Sequence, residues 1–356
     1  MITNIETDAT GSNIVSERRS VMFAASRRSQ RILVGAVVLL ATWVVVLVTP
    51  LKDMLALTGV LNDAVPAASA EHPVDPDKGY YLEELGGGAW FVSGWSHNTM
   101  FVVTSESVVV LDAPPSLGEA YLDAVAEVTD KPVSHLIYSH SHADHIGRAD
   151  LFPDATVVAH ERTAEILAER QDPKRRAPGV TFSDRHTLTV GGVRIELANY
   201  GPAHGPGNIA VYLPEQKVLS MIDIAFPKWI PVHEFAIAED IDAYFQVYDH
   251  LLAYEFDHFI GGHANLGTYE DLEEQRDYVL DVRQAARTAV GEAPLDKIGQ
   301  MQRWTPNPFV TANFGFERMT ARCADIVEDK WEGRLAAVDV FTSSHCRRMV
   351  FYWFTD

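Results

Sequence analysis

Only two cysteines, Cys323 and Cys346, occur in the 356 residues. That is too few for a zinc finger or a disulfide framework, and leaves room for one bridge at most. Basic residues are scarce as well: 29 Lys and Arg face 49 Asp and Glu, giving a formal net charge of −20. Such a chain repels polyanions, which excludes a groove for the phosphate backbone of nucleic acid as its main purpose. Internal repeats and low-complexity tracts are lacking too. What is present is 47% hydrophobic and 22% charged, enough apolar material for a buried core, so disorder is excluded. The 14 histidines exceed what surface decoration requires.

One long apolar run stands apart. Residues 32–49 read ILVGAVVLLATWVVVLVT, without a charge, and as a helix would span roughly 27 Å, close to a hydrocarbon core of about 30 Å. Arg18, Arg19, Arg27, Arg28 and Arg31 precede it and only Lys52 follows closely. The positive-inside rule therefore predicts a single-pass protein with a cytoplasmic amino terminus and everything after the span periplasmic or extracellular. Ala68-Ser69-Ala70 has the small residues of a signal-peptidase site. It lies about twenty residues beyond the apolar run, farther than cleavage usually occurs, so an uncleaved signal-anchor is expected. Residues 50–79, with Pro50, Pro66, Pro73 and Pro76, read as a tether.

From Gly88 onward short runs rich in β-branched and aromatic residues predict strands at 89–94, 99–104 and 107–111, the last two joined through Ser105-Glu106. Ser116-Leu117-Gly118-Glu119 spells a capping box and predicts a helix to about Thr129. Strands follow at 133–139, 155–159, 193–198, 209–213, 218–222 and 258–260, with helices at 161–170 and 240–254. Hairpins mixed with βα units predict a layered α/β sandwich rather than a doubly wound parallel sheet. Beyond Gly267 the pattern is helical. Thr268 caps a helix to about Val290, a second covers 316–331, and residues 350–354 are apolar enough to dock.

The stretch that carries chemistry is Ser139-His140-Ser141-His142-Ala143-Asp144-His145-Ile146-Gly147, directly after a predicted strand. Three imidazoles and a carboxylate packed so closely would leave buried rings short of partners. A divalent metal satisfies nitrogen and oxygen donors at once. On a loop leaving a strand end, His140 and His142 reach one ion, and Asp144 with His145 reach a neighbouring one.

This segment resembles the signature of the metallo-β-lactamase-fold hydrolases. The resemblance extends in order through Gly201-Pro202-Ala203-His204-Gly205-Pro206-Gly207-Asn208, Ser220-Met221-Ile222-Asp223 and Ile260-Gly261-Gly262-His263, covering about residues 80–267. It implies a four-layer αβ/βα sandwich with two metal ions at one edge, the first held by His140, His142 and His204. The second is held by Asp144, His145 and His263, with Asp223 bridging both. Zinc is the default; iron or manganese stays open, since no thiolate is present to select a soft metal. Asp112 falls where the family has a structural acid and is expected to tie down the metal loop. The chain then divides into a basic tail (1–31), a transmembrane anchor (32–49), a linker (50–79), a catalytic domain (80–267) and a helical extension (268–356).

The implied reaction is hydrolysis of an ester, lactone, amide or related bond of a small molecule by a hydroxide bridging two metals, with Asp144 orienting it and shuttling its proton. Phe226 stands where cysteine-bearing β-lactamases have a lysine and acyl-homoserine lactonases a tyrosine, so neither substrate class is assigned. On the loop 226–233 the expected substrate contacts are Lys228, Trp229 and His233, with Trp90, Phe91 and Trp95 walling an apolar pocket. His97 and Asn98 stand evenly between the site rim and simple turn chemistry. Two other readings compete: a mononuclear-iron sulfur dioxygenase on the same fold, and a non-catalytic membrane-tethered scaffold. The electron-transfer branch of the fold is disfavoured because His142 occupies the place of its glutamate. Deleting residues 1–50 is expected to release a domain that stays in the supernatant on ultracentrifugation; a product that still pellets with membranes would place an anchor elsewhere.

Overall fold

The computed structural model describes residues 65–355 apart from 71, 301, 302, 304 and 306. The predicted span at 32–49, the basic tail and most of the linker lie outside these residues. Among the described residues, no helix is long and apolar enough to cross a membrane.

Two sheets form the frame. The first runs β1 (Tyr81–Gly86), β2 (Ala89–Ser93), β3 (Asn98–Val103), β4 (Val108–Leu111), β5 (Val133–Ile137), β6 (Thr156–His160) and β7 (Val180–Phe182), in that spatial order. Its first four strands are antiparallel and the rest join in parallel. The second sheet holds β8 (Arg185–Val190), β9 (Val193–Asn199), β10 (Ile209–Leu213), β11 (Val218–Ser220) and β12 (His258–Ile260). Only β11 and β12 pair in parallel there. The helices are α1 (Ala120–Val128), α2 (Ala143–Ile146), α3 (Glu161–Arg170), α4 (Ile241–Leu251), α5 (Tyr269–Gly291), α6 (Leu295–Gln300), α7 (Pro308–Trp331) and α8 (Val338–Thr355).

Burial sorts these elements into four layers. Because successive side chains of a strand point to opposite faces, β3 sends Met100 and Val102 to one side and Phe101 to the other. Met100 and Val102, with Phe91, Val109 and Leu111, meet Ile195, Leu197, Val211 and Leu213 of the second sheet in a core between the sheets. Phe101, with Val92, Val110 and Leu136, packs beneath Tyr121 and Ala124 of α1 and Leu167 of α3. On the far face of the second sheet, Ala210 and Leu219 lie under Tyr244, Tyr248 and Leu251 of α4. That core continues through Val279 and Val282 of α5 into α7 and α8. The expected mixed α/β sandwich with a helical extension is therefore present.

Several local expectations need correction. The helix predicted from Ser116 begins only at Ala120, with no side-chain cap; the Ser116 hydroxyl instead lies 2.9 Å from His97 Nδ1. Trp90 and Phe91 wall no pocket, since Phe91 is fully buried between the sheets and Trp90 stacks on Phe101 across the opposite face. Thr268 does cap α5, in a reciprocal capping box with Asp271. Helix α7 starts earlier than expected, at Pro308 behind an Asn307 cap, and the apolar 350–354 belong to the longer α8.

Cys323 of α7 and Cys346 of α8 form a disulfide, closing a separation of 23 residues, and both are fully buried. Replacing both by serine is expected to lower the unfolding free energy by about 3 kcal/mol, the loop-closure value for a ring of this length. Denaturant titration of the folded domain checks this, and an unchanged midpoint would show that packing alone holds the helix pair.

Candidate metal centre

Every residue of the predicted constellation sits where a strand ends. The loop leaving β5 carries His140 and His142 and runs into α2, which carries Asp144 and His145; the β9–β10 loop carries His204; Asp223 follows β11 and His263 follows β12. Asp112, one residue past β4, anchors this edge. Its carboxylate accepts from the Ser139 backbone N–H (2.7 Å) and from the Ser139 hydroxyl (2.6 Å). That hydroxyl, having given its proton to Asp112, accepts from His140 Nδ1 at 2.9 Å. The relay leaves His140 Nε2 without a proton and facing the cluster. Burial pushes the Asp112 pKa up to about 7 against the Ser139 hydrogen bonds.

Asp223 is the hub. Its Oδ2 lies 3.1 Å from His145 Nε2, 3.2 Å from His204 Nε2 and 3.5 Å from His140 Nε2, while Oδ1 lies 3.2 Å from His263 Nε2. His142 Nδ1 approaches His204 Nε2 to 3.0 Å, near the roughly 3.3 Å between ligands of a tetrahedral shell with bonds of about 2.0–2.1 Å. Asp144 Oδ2 stands 3.7 Å from His145 Nε2 and 3.5 Å from His97 Nε2. The donors fall into two groups, His140, His142, His204 and Asp223, and His97, Asp144, His145 and His263, each with ligand atoms within 4.8 Å of one another. The structure thus brings together all seven residues expected from the motifs and adds His97, which the sequence left undecided.

Electrostatics favour donation. Burial and neighbouring imidazoles hold the His140 pKa well below its ordinary value and bring His142 down to about 4, so both rings are neutral. His145 is the exception: burial lowers its pKa, but the Asp223, Asp112 and Asp144 carboxylates outweigh it and raise it to about 9. Burial acts upward on Asp223, yet His145 and His204 keep its carboxyl well below the carboxylate range. Nε2 of His97 and His140, both ring nitrogens of His145, and Asp223 Oδ1 are buried without a hydrogen-bond partner. Each such group would cost about 1–3 kcal/mol if nothing answered it. Their convergence fits divalent ions.

The backbone is shaped to this end. Asp112 and Asp223 both take left-handed conformations (φ 52° and 65°), which aspartate tolerates better than bulkier residues. Gly262 (φ 91°) packs so closely that a Cβ would sit 2.6 Å from Ile222 Cγ2 and 3.2 Å from the His145 ring, so only glycine fits beside His263.

His204 is oriented from an unexpected quarter. Its Nδ1 donates to the Ala236 carbonyl at 2.7 Å, which belongs to a one-turn segment, His233–Ile237, whose last four residues have φ between 50° and 60°. A left-handed turn costs roughly 1–2 kcal/mol per non-glycine residue. Helix α8 grips it: Ser344 Oγ accepts from the Glu234 N–H (2.8 Å), Arg348 donates to the Ala238 carbonyl (3.1 Å), and the His345 ring stacks on Phe235 at 4.5 Å.

The residues expected to touch substrate are engaged elsewhere. Lys228 Nζ pairs with Asp271 (2.7 Å) and Glu274 (3.2 Å) of α5, Trp229 donates its indole N–H to the Ser69 carbonyl, and His233 meets Phe341 ring to ring. Among the described residues these contacts tie the 226–233 loop to the extension and to Ser69 of the linker rather than to the metal cluster. Phe226 does reach the site, its ring stacked parallel to His263 at 5.5 Å, and Trp95 is exposed on the loop that carries His97.

Two packed sheets flanked by helices, with imidazoles and carboxylates gathered at one edge, define a metal-binding αβ/βα sandwich. Residues 92–263 match the profile of the metallo-beta-lactamase superfamily, and the fold is that of this superfamily. The chain is 33% identical over 181 residues to the 2,4-dinitroanisole O-demethylase subunit alpha of Nocardioides sp. (strain JS1661), covering 46% of this chain and 55% of that one. It is 25% identical over 236 residues to subunit beta of the same demethylase, covering 62% and 71%. The metallo-beta-lactamase type 2 of Elizabethkingia meningoseptica is 29% identical over 131 residues, covering 35% and 51%. The matched stretch spans about half the length of the first and third of these relatives.

Ile237 is exposed and β-branched yet left-handed (φ 50°). Ile237→Asn is expected to raise the unfolding free energy by about 1 kcal/mol, because asparagine accepts this conformation more readily. A loss of stability in denaturant unfolding would show that the turn is not strained.

Proposed function

We infer that the chain is a metal-dependent hydrolase acting on a small molecule, with a two-metal site. His140, His142 and His204 hold one ion, Asp144, His145 and His263 the other, and Asp223 lies between them. The observation that carries this reading is the single carboxylate of Asp223 facing four imidazole nitrogens at 3.1–3.5 Å. When bound, the ions lower the pKa of water toward about 7 and act as Lewis acids on the oxygen under attack. Zinc suits the nitrogen and oxygen donors; iron and manganese suit them as well.

The protein's own groups do the rest. Asp144, its side chain 55% exposed at the mouth of the cluster, is ionised at neutral pH as a solvent-reached carboxylate is. It is therefore free at neutral pH to orient the attacking water and carry its proton to the leaving group. Phe226, flat against His263, keeps bulk water from the back of that ring. Ester, lactone and amide bonds suit this machinery. An activated aryl ether does too, as in the substrate named for the Nocardioides relatives: water adds its oxygen to the ring carbon, the aryl–oxygen bond breaks, and an alcohol leaves with a proton.

Two groups of donors rather than one weigh against a mononuclear-iron sulfur dioxygenase, and a full set of donors weighs against a non-catalytic scaffold. We also place the domain outside the cytoplasm, tethered through residues 32–49. A fully buried disulfide between α7 and α8 supports this, since such bonds persist in oxidising compartments.

Asp223→Ala and His204→Ala are each expected to cut hydrolysis at least about a thousandfold and lower bound metal, while circular dichroism stays native. The panel comprises lactones, β-lactams, thioesters, phosphodiesters, sulfate esters and a nitroaryl methyl ether on zinc-loaded protein. Unchanged turnover in both variants refutes the assignment.

A further inference from the structure

The tip of the β2–β3 hairpin, residues 94–97, is built into the second donor group more firmly than a rim requires. The Asn98 backbone N–H donates to the Gly262 carbonyl at 2.7 Å, and the Asn98 side-chain amide to the Ala264 carbonyl. The Ser96 carbonyl accepts from His263 Nδ1 at 2.6 Å, so this tip selects the tautomer in which His263 Nε2 is bare. Between these two contacts lies His97, its carbonyl accepting from the Gly94 N–H at 2.9 Å. Its ring edges against His145 (centroids 4.9 Å) and His263 (4.5 Å).

The two nitrogens of His97 have different surroundings. Nδ1 lies 2.8 Å from the Ser96 hydroxyl and 2.9 Å from the Ser116 hydroxyl, either of which can accept its proton. Nε2 is buried with no hydrogen-bond partner, and its distance of 3.5 Å from Asp144 Oδ2 is too long for a good hydrogen bond. A nitrogen of this kind, grouped within 4.8 Å of donors from Asp144, His145 and His263, matches how His140, His204 and His263 present theirs. Each of those rings gives its Nδ1 proton to an oxygen and turns Nε2 inward.

We propose that His97 is itself a ligand of the second metal ion, giving that site three imidazoles and Asp144, besides the carboxylate of Asp223. The inference rests on the two-metal reading of the site and deepens it. It makes the second site richer in protein donors than the first, leaving fewer positions there for water or substrate and favouring ions that accept five or six ligands over strictly tetrahedral ones. It also explains why Ser116 does not cap α1: its hydroxyl is committed to the imidazole.

The test strips the protein with chelator and titrates it with Co2+, following visible absorption and calorimetry. Wild type is expected to take two equivalents. His97→Ala is expected to bind the first as before and the second about a hundredfold more weakly, with an altered absorption envelope. His97→Gln restores an N–H toward Asp144 but not an imidazole donor, and is expected to behave like His97→Ala. Should His97→Ala bind the second equivalent unchanged, the ligand role falls while the two-metal reading stands. Rescue by His97→Gln would make His97 a positioning residue for Asp144 and overturn the proposal. A wild type that takes no second equivalent overturns both. The unsubstituted Co2+ protein provides a check independent of mutant folding: six shifted, exchangeable imidazole N–H resonances are expected in its proton spectrum, and five would remove His97 from the ligand set.

Discussion

A single buried carboxylate organises this molecule. Asp223 sits among His140, His145, His204 and His263, rings delivered by three different connections of two sheets. Negative charge with so little water around it is tolerable only where positive charge answers it, and the His140 ring beside it is held neutral by burial and its neighbouring imidazoles. The sandwich can be understood as a frame that brings strand ends to within hydrogen-bond distance of this one group. Asp112 ties down the β5 loop, Gly262 allows close approach, and left-handed backbone at Asp112 and Asp223 aims the acids.

The chemical half of this arrangement was readable from sequence because most donors carry local signals: His140 through His145 share one connection, and the His204 and His263 motifs carry glycines that mark strand ends. His97 escaped because its signal is a lone histidine in a hairpin, identical on paper to turn chemistry. The Ser116 reading failed for the same reason, a residue whose local spelling says helix cap but whose tertiary partner is an imidazole. Lys228 looked like a substrate contact because it follows the bridging acid; two acids of α5, distant in sequence, claim it instead.

The sandwich strands that were missed are the half-exposed ones. β1, β7 and β8 lie at or near sheet edges, where only one face is covered and the hydrophobic pattern is diluted. In β8 a single buried residue, Val190, closes a run of otherwise exposed or half-exposed positions. The buried strands β4 and β11, and β3 with only Val103 partly exposed, are found with ends shifted by at most two residues. Of α8, only its last apolar turn was legible, because that helix shares its buried face with α5, α7 and the left-handed turn rather than with a sheet, and no single stripe stands out along it.

The left-handed turn at 234–237 ties the two ends of the structure's history together. The carbonyl that steers His204 is shaped by Ser344, His345 and Arg348, and Cys346, in the middle of those residues, is bonded to α7. During synthesis the sandwich leaves the ribosome well before that helix. The final geometry of the first donor group therefore waits for α8, synthesised well after His204, to dock against the turn.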